Sequence, residues 1–179
     1  MKHFLVGILI LSLAVLSGCV DVDSVKSKLI PSKPEESYIQ ATRKSELVFD
    51  ETTRIVLIAV HLNAYDEQKY PHEKGEIFFV DVYQSAQNSK GFLENGYNLK
   101  LSNGESPVKI TRLQKEDLRD FMLSNAMRWG EYYWVEFAPQ DKRVQDSLML
   151  VLSHPKFGEN TLKFGFKGLS KEELRGKDK

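Results

Sequence analysis

Short apolar runs separated by polar turns recur between residues 42 and 167, and this pattern predicts a chain built of β-strands. Residues 54–62 (RIVLIAVHL) are apolar on both faces, which is typical of a central strand covered on both sides. Residues 76–83 (EIFFVDVY) form a second strong strand. Residues 131–138 (EYYWVEFA) form a third, aromatic strand. Weaker strand patterns cover residues 42–49, 97–101, 107–111, 147–153 and 161–167.

The dipeptide Asn103-Gly104 stands between two of these patterns and favours a tight hairpin turn, because both residue types tolerate positive φ. We therefore expect the strand at 97–101 to pair with a return strand at 107–111. A short helix is predicted over residues 112–123, where apolar side chains recur with helical spacing. An irregular crossover between two sheets is the alternative for that segment.

Roughly seven or eight strands with at most one short helix define an all-β domain, which we place at residues 38–169. The natural packing of such strands is a two-sheet antiparallel sandwich of the immunoglobulin-like kind. A small closed barrel is the alternative. The hallmark cysteine pair of antibody domains is absent, because the chain contains one cysteine, so the likeness is architectural.

The N-terminal residues have the pattern of an export signal. Lys2 and His3 precede an apolar run over residues 4–16, and this run is shorter than the roughly 20 residues that a membrane-spanning helix needs. An uncleaved helix with a buried thiol is the alternative interpretation of the same residues.

Leu16, Ser17, Gly18 and Cys19 close this run and resemble the lipobox of bacterial lipoproteins, in which a leucine, two small residues and a cysteine are read by the lipoprotein signal peptidase. The resemblance implies that residues 1–18 are a signal peptide that is removed. It also implies that Cys19 carries diacylglycerol and an N-acyl chain such as palmitate. Two or more acyl chains give stable membrane anchoring.

The residue after the cysteine is Val20. In the best-known Gram-negative sorting rule, an aspartate at that position retains a lipoprotein in the inner membrane. The resemblance therefore implies an outer-membrane lipoprotein that faces the periplasm. Lipobox and strand layout together are similar to those of uncharacterised β-sandwich lipoproteins of Gram-negative, Campylobacter-like bacteria, and no function transfers with this similarity.

Charged residues and two prolines, Pro31 and Pro34, dominate the segment after the cysteine. Proline opposes regular structure, so residues 19–37 are predicted to be a flexible, lipidated tether. Residues 170–179 are predicted to be a charged, frayed tail. The remaining length suffices for one domain with a sizeable core.

The charges of the chain balance, with 25 basic and 25 acidic residues. Loss of Lys2 with the signal peptide changes this balance by a single charge. Nucleic-acid binding needs a basic surface patch, so we expect no nucleic-acid partner. The expected partners are the membrane, through the lipid anchor, and another envelope protein.

No catalytic motif stands out in the sequence. The nucleophile motif G-x-S-x-G and a glycine-rich phosphate loop after a strand are both missing from the chain. We therefore expect no enzymatic activity. An envelope hydrolase or a metal-dependent enzyme is the least favoured hypothesis. The expected cofactor set is empty apart from the covalent lipid on Cys19.

Metal binding is the one chemical alternative that residue types suggest. Asp66, Glu67, His72 and Glu73 share one loop, and histidine with carboxylates can bind a divalent ion. Their spacing matches no metal motif, and a polar surface loop collects such residues, so the expectation is that no metal binds. His61 lies in an apolar strand and is interpreted as a packed or edge histidine.

The aromatic residues suggest a binding surface. Strand alternation places Tyr132 and Trp134 on one face of their strand, and Phe79 and Tyr83 on one face of theirs, opposite to the side chains best suited to the core. If both strands lie in one sheet, its outside carries an aromatic patch, which is typical of partner sites. The alternative is that residues 112–123, or another loop, cover that face.

The sequence thus predicts a membrane-anchored, non-enzymatic envelope lipoprotein. Its sandwich domain would bind another envelope protein as an accessory or assembly subunit, with Tyr132, Trp134, Phe79 and Tyr83 as candidate contacts. The alternative function is a binding module for a small apolar, glycan or lipid ligand that uses the same aromatic residues.

Overall fold

A computed structural model describes residues 32–85 and 90–165 of the chain. The predicted signal peptide, Cys19, most of the tether and the charged tail lie outside these residues. The strands are β1 Thr42–Phe49, β2 Thr52–His61, β3 Glu76–Gln84, β4 Asn98–Leu101, β5 Lys109–Leu113, β6 Glu131–Phe137, β7 Met149–His154 and β8 Gly158–Lys163.

The strands form two antiparallel sheets. One is five-stranded, in the order β1-β2-β3-β6-β5, and the other is three-stranded, in the order β4-β7-β8. The predicted two-sheet antiparallel sandwich is therefore confirmed, and the closed barrel is not formed by the described residues. The likeness to immunoglobulin domains is limited to this two-sheet architecture. The strand order differs, because β1, β2 and β3 are consecutive neighbours in one sheet.

The main core lies between the two sheets, and strand alternation predicts which residues fill it. Phe78, Val80 and Val82 of β3 point inward, beside Val135 and Phe137 of the neighbouring strand β6. All five are fully buried or nearly so. Leucines of β4 and β7 complete the core from the opposite sheet.

The described residues contain more short helices than the one that the sequence predicts. They are α1 Lys33–Gln40, α2 Leu62–Tyr65, α3 Asp120–Asn125 and α4 Lys142–Asp146, with 3-10 helices at His72–Lys74 and Lys115–Asp117. The helix predicted over residues 112–123 is broken, because the reciprocal hydrogen bonds of Gln114 and Asp117 close a single 3-10 turn and Leu118 is extended. None of the helices in this part of the chain has the length and apolar character of a transmembrane span.

The last residues of the predicted tether are helical, since α1 begins at Lys33. Proline is tolerated in the first turn of a helix, and Glu35 and Glu36 interact favourably with the positive end of the helix dipole there. Tyr38 is buried and fixes the helix to the domain. The compact unit of the chain accordingly begins at Pro34, before residue 38.

The hairpin predicted around Asn103 and Gly104 is wrong. The turn itself forms, with Gly104 at a φ of 88° and its N–H donating to the carbonyl of Leu101. The two strands beside it then enter different sheets, because β4 pairs with β7 and β5 pairs with β6. Turn residues determine the local backbone, whereas the packing of distant apolar side chains selects the partner strand.

Candidate functional site

The outer face of the five-stranded sheet is covered by a second, smaller core. Phe79 and Tyr132 lie at its centre, with ring centroids 6.3 Å apart. The covering side chains come from α1, from residues 114–130 and from Tyr65 and Tyr70, which lie between β2 and β3. We call α1 together with residues 114–130 the covering layer. Tyr38 of α1 and Leu118 and Met122 of the second segment pack onto the sheet. Of the two alternatives for this face, the covered one is therefore realised.

The four aromatic residues proposed as partner contacts consequently differ in exposure. Phe79 and Tyr132 are buried, and the Tyr132 hydroxyl donates a hydrogen bond to the carbonyl of Met127 at 2.6 Å. Trp134 is half-buried beside Tyr70, and only Tyr83 is exposed. A strand that is apolar on both faces requires cover on both, so no continuous aromatic patch remains on this face among the described residues.

The cover leaves a groove of about 360 Å³ against the sheet. Ile58, Phe79 and Asp81 line it from the sheet, and Ile39 of α1 and Asn125 of α3 line it from the covering layer. Ligand pockets commonly have about 300 Å³ or more, so the groove can hold a small molecule. Most of its lining surface is apolar, with Asp81 as the acidic group.

Asp81 is a buried carboxyl group with one oxygen unsatisfied. Its Oδ2 accepts a hydrogen bond from the backbone N–H of Met127 at 2.5 Å, whereas Oδ1 has no hydrogen-bond partner. Burial raises the pKa of Asp81 to about 6, and the Met127 N–H acts in the opposite direction. A Cβ at Gly130 would lie 1.9 Å from Oδ1, so glycine is required for the chain to pass over this carboxyl group.

We expect the substitution Asp81→Asn to stabilise the protein at neutral pH. The folded pKa of Asp81 lies above its unfolded value, so the folded state binds more protons and stability falls as the pH rises from about 4 to 6. The stabilisation is the free energy of unfolding of Asp81→Asn minus that of the wild type. It should therefore be about 2 kcal/mol larger at pH 7.5 than at pH 4. Urea titrations at both pH values measure this difference, and a difference that does not change with pH would contradict it.

A second cluster of polar side chains lies at the end of the inter-sheet core. His61 Nε2 is 2.7 Å from Glu76 Oε2, and His72 Nδ1 is 2.9 Å from Glu76 Oε1. Glu76 is fully buried, His61 is nearly so, and the His72 side chain keeps 24% of its surface exposed. These three residues are the one group of potential metal ligands found in the part of the chain that the structure describes.

Neighbouring strands and one loop position this triad. His61 is the last residue of β2 and Glu76 is the first of β3, and both point to the side of the sheet that carries Phe78. Asn63 holds the intervening loop, because its side-chain amide donates to the carbonyls of Tyr70 and Gly75 and its oxygen accepts from the N–H of Ile77.

Glycine is needed where this loop meets β3. Gly75 has a φ of 121°, and a Cβ on it would lie 2.2 Å from the carbonyl oxygen of Phe137. The chain therefore passes closely against the end of β6 at Gly75, which lies between the 3-10 turn that carries His72 and the start of β3. His72 can therefore reach the carboxylate of Glu76 only four residues later in the chain.

The triad holds a carboxylate in a position where burial opposes its charge. Burial acts to raise the pKa of Glu76, but the hydrogen bonds and positive charge of His61 and His72 outweigh this effect and lower the pKa. The group is therefore an anionic acceptor surrounded by two imidazoles. Such an arrangement can be satisfied by N–H donors or by a divalent cation.

The loop residues suggested by the sequence as metal ligands are mostly separate from this triad. Only His72 belongs to it. Glu67 and Glu73 are exposed, and Asp66 accepts a hydrogen bond from the N–H of Lys69 within its own loop. His61, interpreted as a packed or edge histidine, is packed against Phe78 and also contacts Glu76.

One sequence signal could have indicated the triad. His61 and Glu76 have the same parity as the core residues of β2 and β3, so both are expected on the inner face at the joined ends of an antiparallel pair. A histidine and a carboxylate on a core face need each other as partners. The contribution of His72 depends on the loop conformation, which no periodicity predicts.

Three of the large apolar side chains that are exposed in the described residues lie on the covering layer. Trp129 is 75% exposed, Ile39 is 56% exposed and Leu123 is 49% exposed. The guanidinium of Arg128 lies over the indole of Trp129, 5.1 Å from its centroid. Trp129 lies between Met127, whose N–H donates to Asp81, and Gly130, which packs against the same carboxyl group, so the backbone on both sides of it contacts Asp81.

No family model, curated protein or solved structure matches the chain.

Proposed function

We propose that the protein is a lipid-anchored component of the bacterial cell envelope, attached through acylated Cys19 to the outer membrane on its periplasmic side. In this proposal the protein is not an enzyme. Its sandwich domain binds another envelope protein as an accessory or assembly subunit. The lipobox resemblance supports the anchor, and the covering layer supports the binding role.

The observation that carries the binding role is the exposure of Trp129 on a fixed backbone. Tryptophan and arginine are enriched among the residues that dominate binding energy at protein interfaces. Trp129 and Arg128 present both side chains together, with the guanidinium stacked on the ring. This surface replaces the buried Phe79 and Tyr132 as the contact that we propose, while Tyr83 remains an exposed candidate.

We expect Trp129→Ala to abolish recovery of the partner in a crosslinking pull-down from intact cells. Truncating an interface hot spot costs about 2 kcal/mol or more, which corresponds to about a 30-fold weaker complex. Val108→Ala is the matched control, because Val108 is exposed but lies outside the covering layer. Circular dichroism checks that both variants fold.

Equal recovery of one partner by wild type and Trp129→Ala would refute this contact. Absence of any specific protein in the wild-type sample would refute the binding role itself. The anchor is tested on the same material by intact mass, which should show a chain that begins at Cys19 and carries acyl chains. An unmodified chain that retains residues 1–18 would refute the anchor.

A second candidate function is favoured by the groove beside Asp81. In this alternative the domain binds a small apolar or lipid ligand, which contacts Ile58 and Phe79 in the groove that Asp81 also lines. Organic extraction of the purified protein followed by mass spectrometry tests it. A single co-purified compound that is lost on filling the groove with Ile58→Trp would favour this function over protein binding.

A further inference from the structure

We propose that His61, His72 and Glu76 form a binding site for a divalent transition-metal ion, with Zn²⁺ as the best-suited ion. The potential ligand atoms of the three residues all lie within 4.8 Å of one another. They come from two strands and one loop that the core and the Asn63 hydrogen bonds hold in place. The site is separate from Trp129, so this proposal does not depend on partner binding.

The donor set determines which ions fit. Two imidazole nitrogens and one carboxylate oxygen suit borderline cations such as Zn²⁺, whereas Ca²⁺ and Mg²⁺ prefer oxygen ligands alone. With metal–ligand bonds of about 2.0–2.1 Å, tetrahedral ligand atoms lie about 3.3 Å apart. Measured to one oxygen, Glu76 Oε2, the distances are 2.7 Å from His61 Nε2 and 3.0 Å from His72 Nδ1, and the two imidazole nitrogens lie within 4.8 Å of each other. The two shorter separations therefore need to widen by about 0.3–0.6 Å.

The exposure of the triad leaves room for a fourth ligand on one side. His61 and Glu76 are enclosed, but the His72 side chain is 24% exposed. Of the three side chains, only His72 has substantial exposure, so a water molecule in the fourth position would enter on its side. Three protein ligands with one open position is the arrangement that zinc adopts at reactive sites.

Packing and electrostatics both favour a bound cation. The ring of His61 stacks on Phe78 at a centroid distance of 4.9 Å, which fixes the direction of its Nε2. A divalent ion would also balance the charge of the fully buried Glu76. On binding, each neutral imidazole carries its proton on the ring nitrogen that does not face the ion, so His61 Nε2 and His72 Nδ1 offer lone pairs.

The test uses the full-length chain, purified in detergent with a tag that contains no histidine and stripped with a chelator. Calorimetric titration with Zn²⁺ should give one equivalent of binding. Titration with Co²⁺ should give the intense visible absorption bands of a tetrahedral site. His72→Ala and Glu76→Gln should each weaken binding of both ions at least tenfold and remove these bands.

Glu73→Gln is the matched control, since Glu73 adjoins His72 in the sequence and is exposed. It should bind as the wild type does. If the folded wild type binds neither ion, the triad is purely hydrogen-bonded and the proposal is refuted. If Glu73→Gln weakens binding while His72→Ala does not, the ion is held by the loop surface, and the proposal is equally refuted. Because His72 is partly exposed, His72→Ala decides the question even if Glu76→Gln fails to fold.

Discussion

Replacing Glu76 with alanine is expected to lower the free energy of unfolding by about 3–5 kcal/mol, one of the two largest losses that we predict. The carboxylate is fully buried and accepts hydrogen bonds from both His61 and His72. Its removal leaves two ring nitrogens without their partner and opens a cavity at the end of the core. Urea denaturation in the presence of a chelator measures the loss without any contribution from metal.

The loss should also depend on pH. The folded pKa of Glu76 is lowered, so its contribution to stability is present above the unfolded pKa of about 4.5 and disappears as the pH falls through the folded value. The gap between wild type and Glu76→Ala should therefore narrow below about pH 4.5. Glu73→Ala, an exposed control, should change stability by less than about 0.5 kcal/mol. A loss of the same small size for Glu76→Ala would show that the triad does not hold this end of the sandwich together.

Replacing Phe78 with alanine is expected to cost about 3–5 kcal/mol for a different reason, the loss of packing between the sheets. The ring of Phe78 is fully buried and lies 5.8 Å from the ring of Phe137 and 5.2 Å from that of Phe164. The cavity therefore opens between β3, its neighbour β6 and the segment after β8. The measurement is again the urea midpoint, with Val108→Ala as an exposed control.

A cost below about 1 kcal/mol for Phe78→Ala would mean that the two sheets are not joined through this ring. The expected result is a large fall in the midpoint with an unchanged slope, because the folded state should keep its compactness. Phe78 also stacks on His61, so its effect and that of Glu76→Ala should not add in the double variant.

The sequence predicts the strands well where local alternation is strong. The inward residues of β3 and β6 are those that the two-residue period selects, including Phe78 and Val135. The aromatic-patch hypothesis requires β3 and β6 to lie in one sheet. They do, since Phe79 lies opposite Trp134 in the register. The side chains that set the two-residue period are also the ones that become buried, so this part of the fold can be predicted from the local sequence.

The remaining features depend on contacts between distant parts of the chain. Leu118 covers the outer face from residues 112–123, the segment that the sequence offers as an alternative cover, whereas no pattern in α1 indicates that Tyr38 packs there as well. The partner of β4 is likewise β7, a strand far away in the sequence that lies beside it in the same sheet, and not the strand that follows the adjacent turn. The triad needs Gly75 and Asn63 to bring His72 to Glu76, a geometry that residue spacing alone does not reveal.

Site-specific photo-crosslinking in intact cells tests most directly whether this domain binds an envelope protein. A photoreactive amino acid replaces Leu123, an exposed residue of the covering layer, in one strain and Val108 in another, while Trp129 is kept in both. Binding through the covering layer predicts one covalent adduct with an envelope protein from position 123 and none from position 108. Equal adducts from both positions, or none from position 123 in a protein that is folded and membrane-bound, would contradict it.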